Sequence, residues 1–277
     1  MKVSGFTIVR NAVKYNYPVV QAITSILPIC DEFIVNVGDS EDTTLELIKS
    51  INSPKIRIVR TTWNMAQGPT VLSEQTNAAL RECTGDWAFY VQSDEVFHEN
   101  DLPKIKACME KNLNDASVDA LRFKWLHFYG SFWRYRIDLG WYQKQDRIIR
   151  NNGTVESYGD AFAFRRVDGK PLKSASTNCL LYHYGWVNSV EDMSKRSRNA
   201  ADIGYGDKEK SIETGYGDLN RFAAYVGTHP AVMRERIDAH TLSWQDWQDV
   251  ARRNWWNPLF WMRMRYKTGK RIKHRIA

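Results

Sequence analysis

No apolar run in this sequence approaches the roughly 18 residues that a membrane-spanning helix needs, so no span is expected. The four cysteines, Cys30, Cys83, Cys108 and Cys179, form no CxxC pair and lie far apart among apolar or helix-forming residues. That argues against a zinc or disulfide scaffold and for buried, reduced thiols. No GxGxxG follows the first strand-like segment, and no GxxxxGK[ST] occurs anywhere, which weakens nicotinamide-dehydrogenase and P-loop readings. Met1-Lys2-Val3-Ser4-Gly5-Phe6 carries no secretory-leader pattern and runs straight into a strand, so a cytoplasmic location is expected. Acidic residues are missing from one place in particular, the last 26 residues. Nine of the 39 Lys and Arg lie there with no Asp or Glu, so the rest of the chain carries 30 basic against 32 acidic residues. The net charge of +7 therefore belongs to the tail, and a nucleic-acid-binding body is not expected.

What is present reads as an ordinary globular chain: 277 residues, 43% apolar and 26% charged, enough for a large core. The first hundred residues alternate strand and helix signals. Strand-like runs at Phe6–Val9, Phe33–Val37, Ile56–Val59 and Trp87–Val91 are separated by helical patterns, the first carrying Val19, Val20, Ile23, Ile26 and Leu27 on one face. Such alternation predicts a mostly parallel sheet covered by helices on both faces. After a helix at 101–113, capped by Asp101, the chain turns β-rich and aromatic, with strands expected at 119–126, 146–150, 161–166 and 179–186. Residues 190–201 read as helical. Gly204-Tyr-Gly-Asp207 recurs as Gly215-Tyr-Gly-Asp218, two similar turns or an active-site flap, and 219–277 reads as helical with a break at Asn257-Pro258.

Ligands of parallel α/β sheets bind beyond the carboxyl ends of the strands. The polar residues there are Arg10 and Asn11, Asp39 and Ser40, then Gln92, Ser93, Asp94 and Glu95. Carboxylates at a strand end can hold a hard divalent cation, which in turn holds a diphosphate; the alternative is a solvated turn. His183 lies in Leu180-Leu-Tyr-His-Tyr-Gly-Trp186, either a structural histidine among aromatics or a ligand.

Three blocks, Gly5 to Asn11, Asp31 to Thr44 and Gly85 to Glu95, together resemble the inverting glycosyltransferases of family 2. The second is similar to that family's DDGSTDGT turn and the third to its GDWILFLDADE strand with the DxD motif. Arg147-Ile-Ile-Arg150, Asp160 and His183-Tyr-Gly-Trp186 with Lys195 are similar to bacterial members that build lipopolysaccharide cores and other surface glycans. The resemblance implies a GT-A fold, a Rossmann-like mixed, mostly parallel sheet flanked by helices, over 1–215 (a nucleotide-sugar half, 1–100, and an acceptor half, 101–215). A helical, basic extension, 216–277, would follow. It implies a nucleoside diphosphate sugar donor framed by Arg10, Asn11, Asp39, Ser40, Gln92, Ser93, Arg147 and Lys195. It implies Mn²⁺ or Mg²⁺ held by Asp94 and His183, and a glycan or lipid-linked acceptor. Gln92 stands in place of the first DxD acid, and Val37 in place of the Asp that meets the nucleobase.

An inverting transfer needs a base for the acceptor hydroxyl. Asp160 is the candidate, with Asp146 and Glu156 as alternatives, and Glu95 either orients the acceptor or braces its turn. Aromatics between 125 and 142 divide between the core and stacking on an acceptor sugar. In the tail, Trp255, Trp256, Phe260 and Trp261 interleave with arginines and lysines, a pattern suited to an anionic membrane surface on the cytoplasmic side. A sugar-phosphate nucleotidyltransferase and a non-catalytic binding protein on the same scaffold are the competing readings.

Overall fold

The computed structural model describes residues 1–137, 142–202, 204 and 222–239. Its centre is β1 (Val3–Val9), seven residues that are all buried. A strand covered on both faces is buried along its whole length, and the polar members of this one, Ser4 and Thr7, are small. It pairs in parallel with β2 (Glu32–Gly38) on one side and β4 (Trp87–Tyr90) on the other, and β3 (Ile56–Thr61) adds in parallel to β2. Alternate side chains divide between two layers. Val3 and Val9 join α1 (Val19–Ile26), α2 (Thr44–Lys49) and α4 (Leu102–Asn112), while Phe6 and Ile8 join α3 (Thr70–Arg81). Gly5 is required by this packing, since a Cβ there would sit 2.4 Å from the Phe33 ring and 2.9 Å from Cys30 Sγ.

Beyond β4 the sheet becomes mixed. It continues through β8 (Lys144–Arg150), antiparallel to β4, then β6 (Ala120–Tyr129) and the short β7 (Arg134–Arg136). Long β11 (Ser174–Trp186) lies parallel to β6 and carries β5 (Glu95–Phe97) antiparallel on its other edge. β9 (Val155–Tyr158) and β10 (Ala163–Arg166) form a separate hairpin over the α3 face. Among the described residues the main sheet has ten strands, and the mixed sheet with flanking helices is the GT-A fold expected from the resemblance. α5 (Val190–Asp202) follows β11.

Three expectations need correction. Phe222–Ala224, expected to be helical, is strand β12, paired with β7; its backbone satisfies the open edge of that strand. α6 (Arg234–Asp238) follows it. Asp101 does not cap α4 through its side chain, which pairs with Lys104 Nζ at 3.1 Å instead. Strand β11 also begins five residues before the expected 179. The cysteines are free, with Cys30, Cys83 and Cys179 buried and Cys108 half-buried. Among the described residues no helix is long and apolar enough to cross a membrane. The repeated Gly-Tyr-Gly-Asp turns beyond Gly204, Trp141 and the basic tail 252–277 lie outside the described residues.

Candidate active site

The chain leaves β1 toward β2 and returns later to β4 on the opposite side, so a crevice opens between their carboxyl ends. A cavity of about 260 Å³ occupies it, lined among others by Arg10, Trp63, Gln92, Ser93, Asp94, Asp160 and Arg196. Of the residues singled out in the sequence, Arg10, Gln92, Ser93, Asp94 and Asp160 are brought together here. Gln92 donates from Nε2 to the Ala161 carbonyl at 3.0 Å, tying the end of β4 to the Asp160 loop. Asp160 accepts from the Phe162 backbone N–H through Oδ1 at 3.2 Å.

Asp94 and His183 meet at the cavity's edge, with Oδ2 and Nε2 3.6 Å apart. Strand β11 organises the pair: Tyr184 N–H donates to the Asp94 carbonyl at 2.8 Å, and His183 lies opposite Glu95 in register. Gly185 leaves the space in front of them. A Cβ at that position would come within 2.5 Å of Asp94 Oδ2 and 2.9 Å of His183 Nε2.

Glu95, one residue on, points the other way. Its carboxylate takes two parallel bonds from Arg147 Nε and Nη2, both 2.8 Å, and both side chains are 0% exposed. Gln92 N–H also donates to Glu95 Oε2 at 3.1 Å, and Arg147 Nη1 donates to the Asp146 and Phe162 carbonyls. Burial works against the charged guanidinium, but the Glu95 carboxylate outweighs it and holds Arg147 above the usual arginine range. Neither side chain reaches the cavity. Of the two roles read for Glu95, this geometry is that of a brace, and Arg147 is committed to Glu95 rather than to the cavity. Lys195 also lies elsewhere, paired with Glu191 at 2.8 Å on its own helix.

At the β1 end, Arg10 Nε donates to the Asp39 carbonyl at 3.1 Å. Asn11 adopts φ +54° and accepts from the Glu41 N–H at 2.7 Å, while its own N–H donates to Ser40 Oγ. These bonds lock the ends of β1 and β2 together. Asn11 and Ser40 thus frame the cavity rather than line it, and Asp39, accepting from Trp63 N–H at 3.2 Å, holds the tryptophan that does. The candidate bases also separate. Asp146 is taken on both oxygens by Arg122, at 3.0 and 2.7 Å, and Glu156 pairs with Arg165 at 2.8 Å.

The sequence matches the glycosyl transferase family 2 profile over residues 8–170, more than half of the chain. The chain belongs to glycosyl transferase family 2. Membership places it among the glycosyltransferases. A search of curated proteins returned no match. Among solved structures, Staphylococcus aureus TarS matches at 18% identity and TM-score 0.42, over 73% of this chain and 39% of TarS. TarS 1–349 in complex with UDP-GlcNAc matches at 17% identity and TM-score 0.43, over 73% and 66% of the two chains. Mycobacterium tuberculosis glucosyl-3-phosphoglycerate synthase, solved with Mn²⁺, UDP and phosphoglyceric acid, matches at 15% identity and TM-score 0.42, over 74% and 80%. This family 2 chain thus spans less than two thirds of the TarS chains it matches.

Asp94 and His183 suit a divalent cation. Two ligands about 2.1 Å from one ion stand roughly 3.0–3.5 Å apart, close to the separation here. The pair is also too long for a hydrogen bond, so neither atom is engaged by the other. Among the described residues no group of three or more His, Cys, Asp or Glu is placed to hold an ion, which leaves further positions to oxygens from outside this pair. Trp63 and Arg196 are among the cavity residues that the sequence pattern does not mark. Trp63 follows β3 and packs so closely on Gly38 that a Cβ there would lie 2.6 Å from indole Nε1. Arg196 adjoins the selected Lys195. Its guanidinium donates to the carbonyls of Tyr15, Asn16 and Gly185 and lies 4.1 Å from the Tyr17 ring centre, none of which is a carboxylate. Burial pushes the Tyr17 phenol up to about 12, so it lines the cavity as a neutral donor.

Proposed function

We propose that this family 2 chain transfers a sugar, with inversion, from a nucleoside diphosphate sugar bound in the β1–β4 cavity to an acceptor hydroxyl. The observation that carries it is the convergence of Arg10, Arg196, Asp94 and Asp160 on one cavity at the sheet's switch point. Arg10 and Arg196 supply positive charge for a diphosphate in a partly desolvated space, where it acts more strongly than in water. Asp94 and His183 would hold Mn²⁺ or Mg²⁺, which when bound neutralises developing charge on the departing diphosphate. A nitrogen beside an oxygen ligand makes Mn²⁺ at least as suitable as Mg²⁺.

Asp160 takes the acceptor hydroxyl's proton as that oxygen attacks the anomeric carbon and the bond to the diphosphate breaks. Its loop fixes Oδ1, and among the described residues it has no arginine partner of the kind that occupies Asp146 and Glu156. Tyr142, 53% exposed and stacked on Phe162 at 5.3 Å, is the ring best placed to pack on an acceptor sugar; Trp125, Phe128, Phe132 and Tyr135 are core. We take the acceptor to be a glycan or lipid-linked saccharide of bacterial surface polysaccharide synthesis, with the basic, Trp-rich 252–277 docking on an anionic membrane. That part rests on the sequence resemblance and the tail's composition.

The test is nucleotide release from a panel of sugar nucleotides with Mn²⁺, with and without acceptor extract. Turnover that collapses in Asp94→Asn and His183→Ala is expected. No binding or turnover of any donor, or full activity in Asp94→Asn, would overturn the reading in favour of a non-catalytic protein on this scaffold.

A further inference from the structure

Behind the Asp94–His183 pair stands a second imidazole with no assigned role. Strands β6 and β11 run in parallel with His127 opposite His183, and their Nδ1 atoms are 3.3 Å apart. His127 Nε2 lies 3.0 Å from the Tyr142 carbonyl oxygen. A carbonyl oxygen only accepts, so His127 Nε2 carries a proton. A neutral imidazole has one, which makes His127 Nδ1 the acceptor of the ring–ring bond and His183 Nδ1 its donor. The Nε2 of His183 then keeps its lone pair, on the side facing Asp94. With His127 in that tautomer, the opposite tautomer of His183 would set two lone pairs against each other. The rings are 1% and 8% exposed, so water offers little relief. Trp125 holds both, with ring centres 4.3 Å from His127 and 5.2 Å from His183.

The geometry points to His127 as a positioning residue that selects the Nδ1–H tautomer of His183 and so presents Nε2 as a ready ligand. Histidine ligands are oriented this way by a partner on the far ring nitrogen, and losing such a partner costs about 10–100-fold in metal affinity. The inference rests on the cation reading of Asp94 and His183, so its test separates the two.

In full-length, metal-free, ¹⁵N-labelled protein at about pH 8.5, above the usual imidazole range, two-bond ¹H–¹⁵N spectra should show His183 protonated on Nδ1 and His127 on Nε2. In Mn²⁺ titrations followed by the EPR signal of the free ion, His127→Phe should weaken binding about 10–100-fold. His127→Asn, whose Oδ1 can accept in place of Nδ1, should restore most of it. An Nε2–H tautomer on His183, or wild-type Mn²⁺ affinity in folded His127→Phe, would overturn the role of His127 even if Asp94→Asn abolished Mn²⁺ binding. Failure of the wild type to bind Mn²⁺, with the Nδ1–H tautomer present, would overturn the cation reading and leave the tautomer assignment standing.

Discussion

Asp94 and Glu95 are consecutive carboxylates where the turn after β4 enters β5, yet the chain treats them in opposite ways. Glu95 is sealed at 0% exposure against Arg147, with both oxygens taken by one guanidinium. Asp94 lines the cavity, 3.6 Å from a histidine it does not bond and beside a glycine that keeps the space clear. Asp94 closes the turn and faces the crevice, while Glu95 opens β5 and its side chain enters the sheet. Residue type does not separate structural from functional acids here; what matters is whether the hydrogen-bonding capacity is already occupied. The same contrast divides Asp146, taken on both oxygens by Arg122, from Asp160.

Substitutions on the two sides of this divide should fail differently. On the cavity side, Asp160→Asn should lower the rate of transfer by about 10²–10⁴-fold, the usual contribution of a general base. Its thermal unfolding should stay near wild type, and a melting curve beside the kinetics tests both halves. On the braced side, Glu95→Gln should cost about 3–5 kcal/mol of stability, because it strands a buried guanidinium. Denaturant titration reads it; a variant as stable as wild type would erase the distinction between the two acids.

His229 extends the braced class into the aromatic layer under β11. Burial pushes it down to about 4, and the Tyr184 hydroxyl lies 2.8 Å from its Nδ1. Below the ordinary histidine value near 6.5 the unfolded chain binds the proton that the folded chain refuses. Stability should therefore fall as pH drops from about 6.5 to about 4, by up to about 3 kcal/mol. Urea midpoints measured across that window should show the slope, and His229→Asn should flatten it. The smallest effect belongs to Lys195→Ala, which removes a surface pair within one helix. It should leave stability and transfer close to wild type, as solvent-screened surface pairs do, whereas Arg196→Gln should weaken donor binding.

The parallel half of the fold was legible because buried central strands announce themselves as apolar runs. The polar residues that follow β1 and β4 in the sequence include Arg10, Gln92, Ser93 and Asp94, all of which line the cavity. Other features depend on information that no local window holds. Glu95 meets Arg147 across 52 positions, and only the β4–β8 pairing brings them together. Lys195 and Arg196 differ by one helical step, a rotation of about 100°, and the phase of α5 against the cavity is set by tertiary packing. Strand β12 is three residues long, too short for any period to register, and its identity comes from the open edge of β7. His127 was hidden in an aromatic stretch, where only the parallel register with β11 gives it a partner.

The most direct test of the contrast between the two acids is calorimetric titration, in the presence of Mn²⁺, of the nucleoside diphosphate whose sugar the donor panel selects, into wild type, Asp94→Asn and Glu95→Gln. Binding to the wild type is expected, lost or weakened at least tenfold, about 1.4 kcal/mol, in Asp94→Asn. It should be retained in Glu95→Gln under conditions where that variant is folded. Equal affinity in wild type and Asp94→Asn, or loss confined to folded Glu95→Gln, would contradict the account.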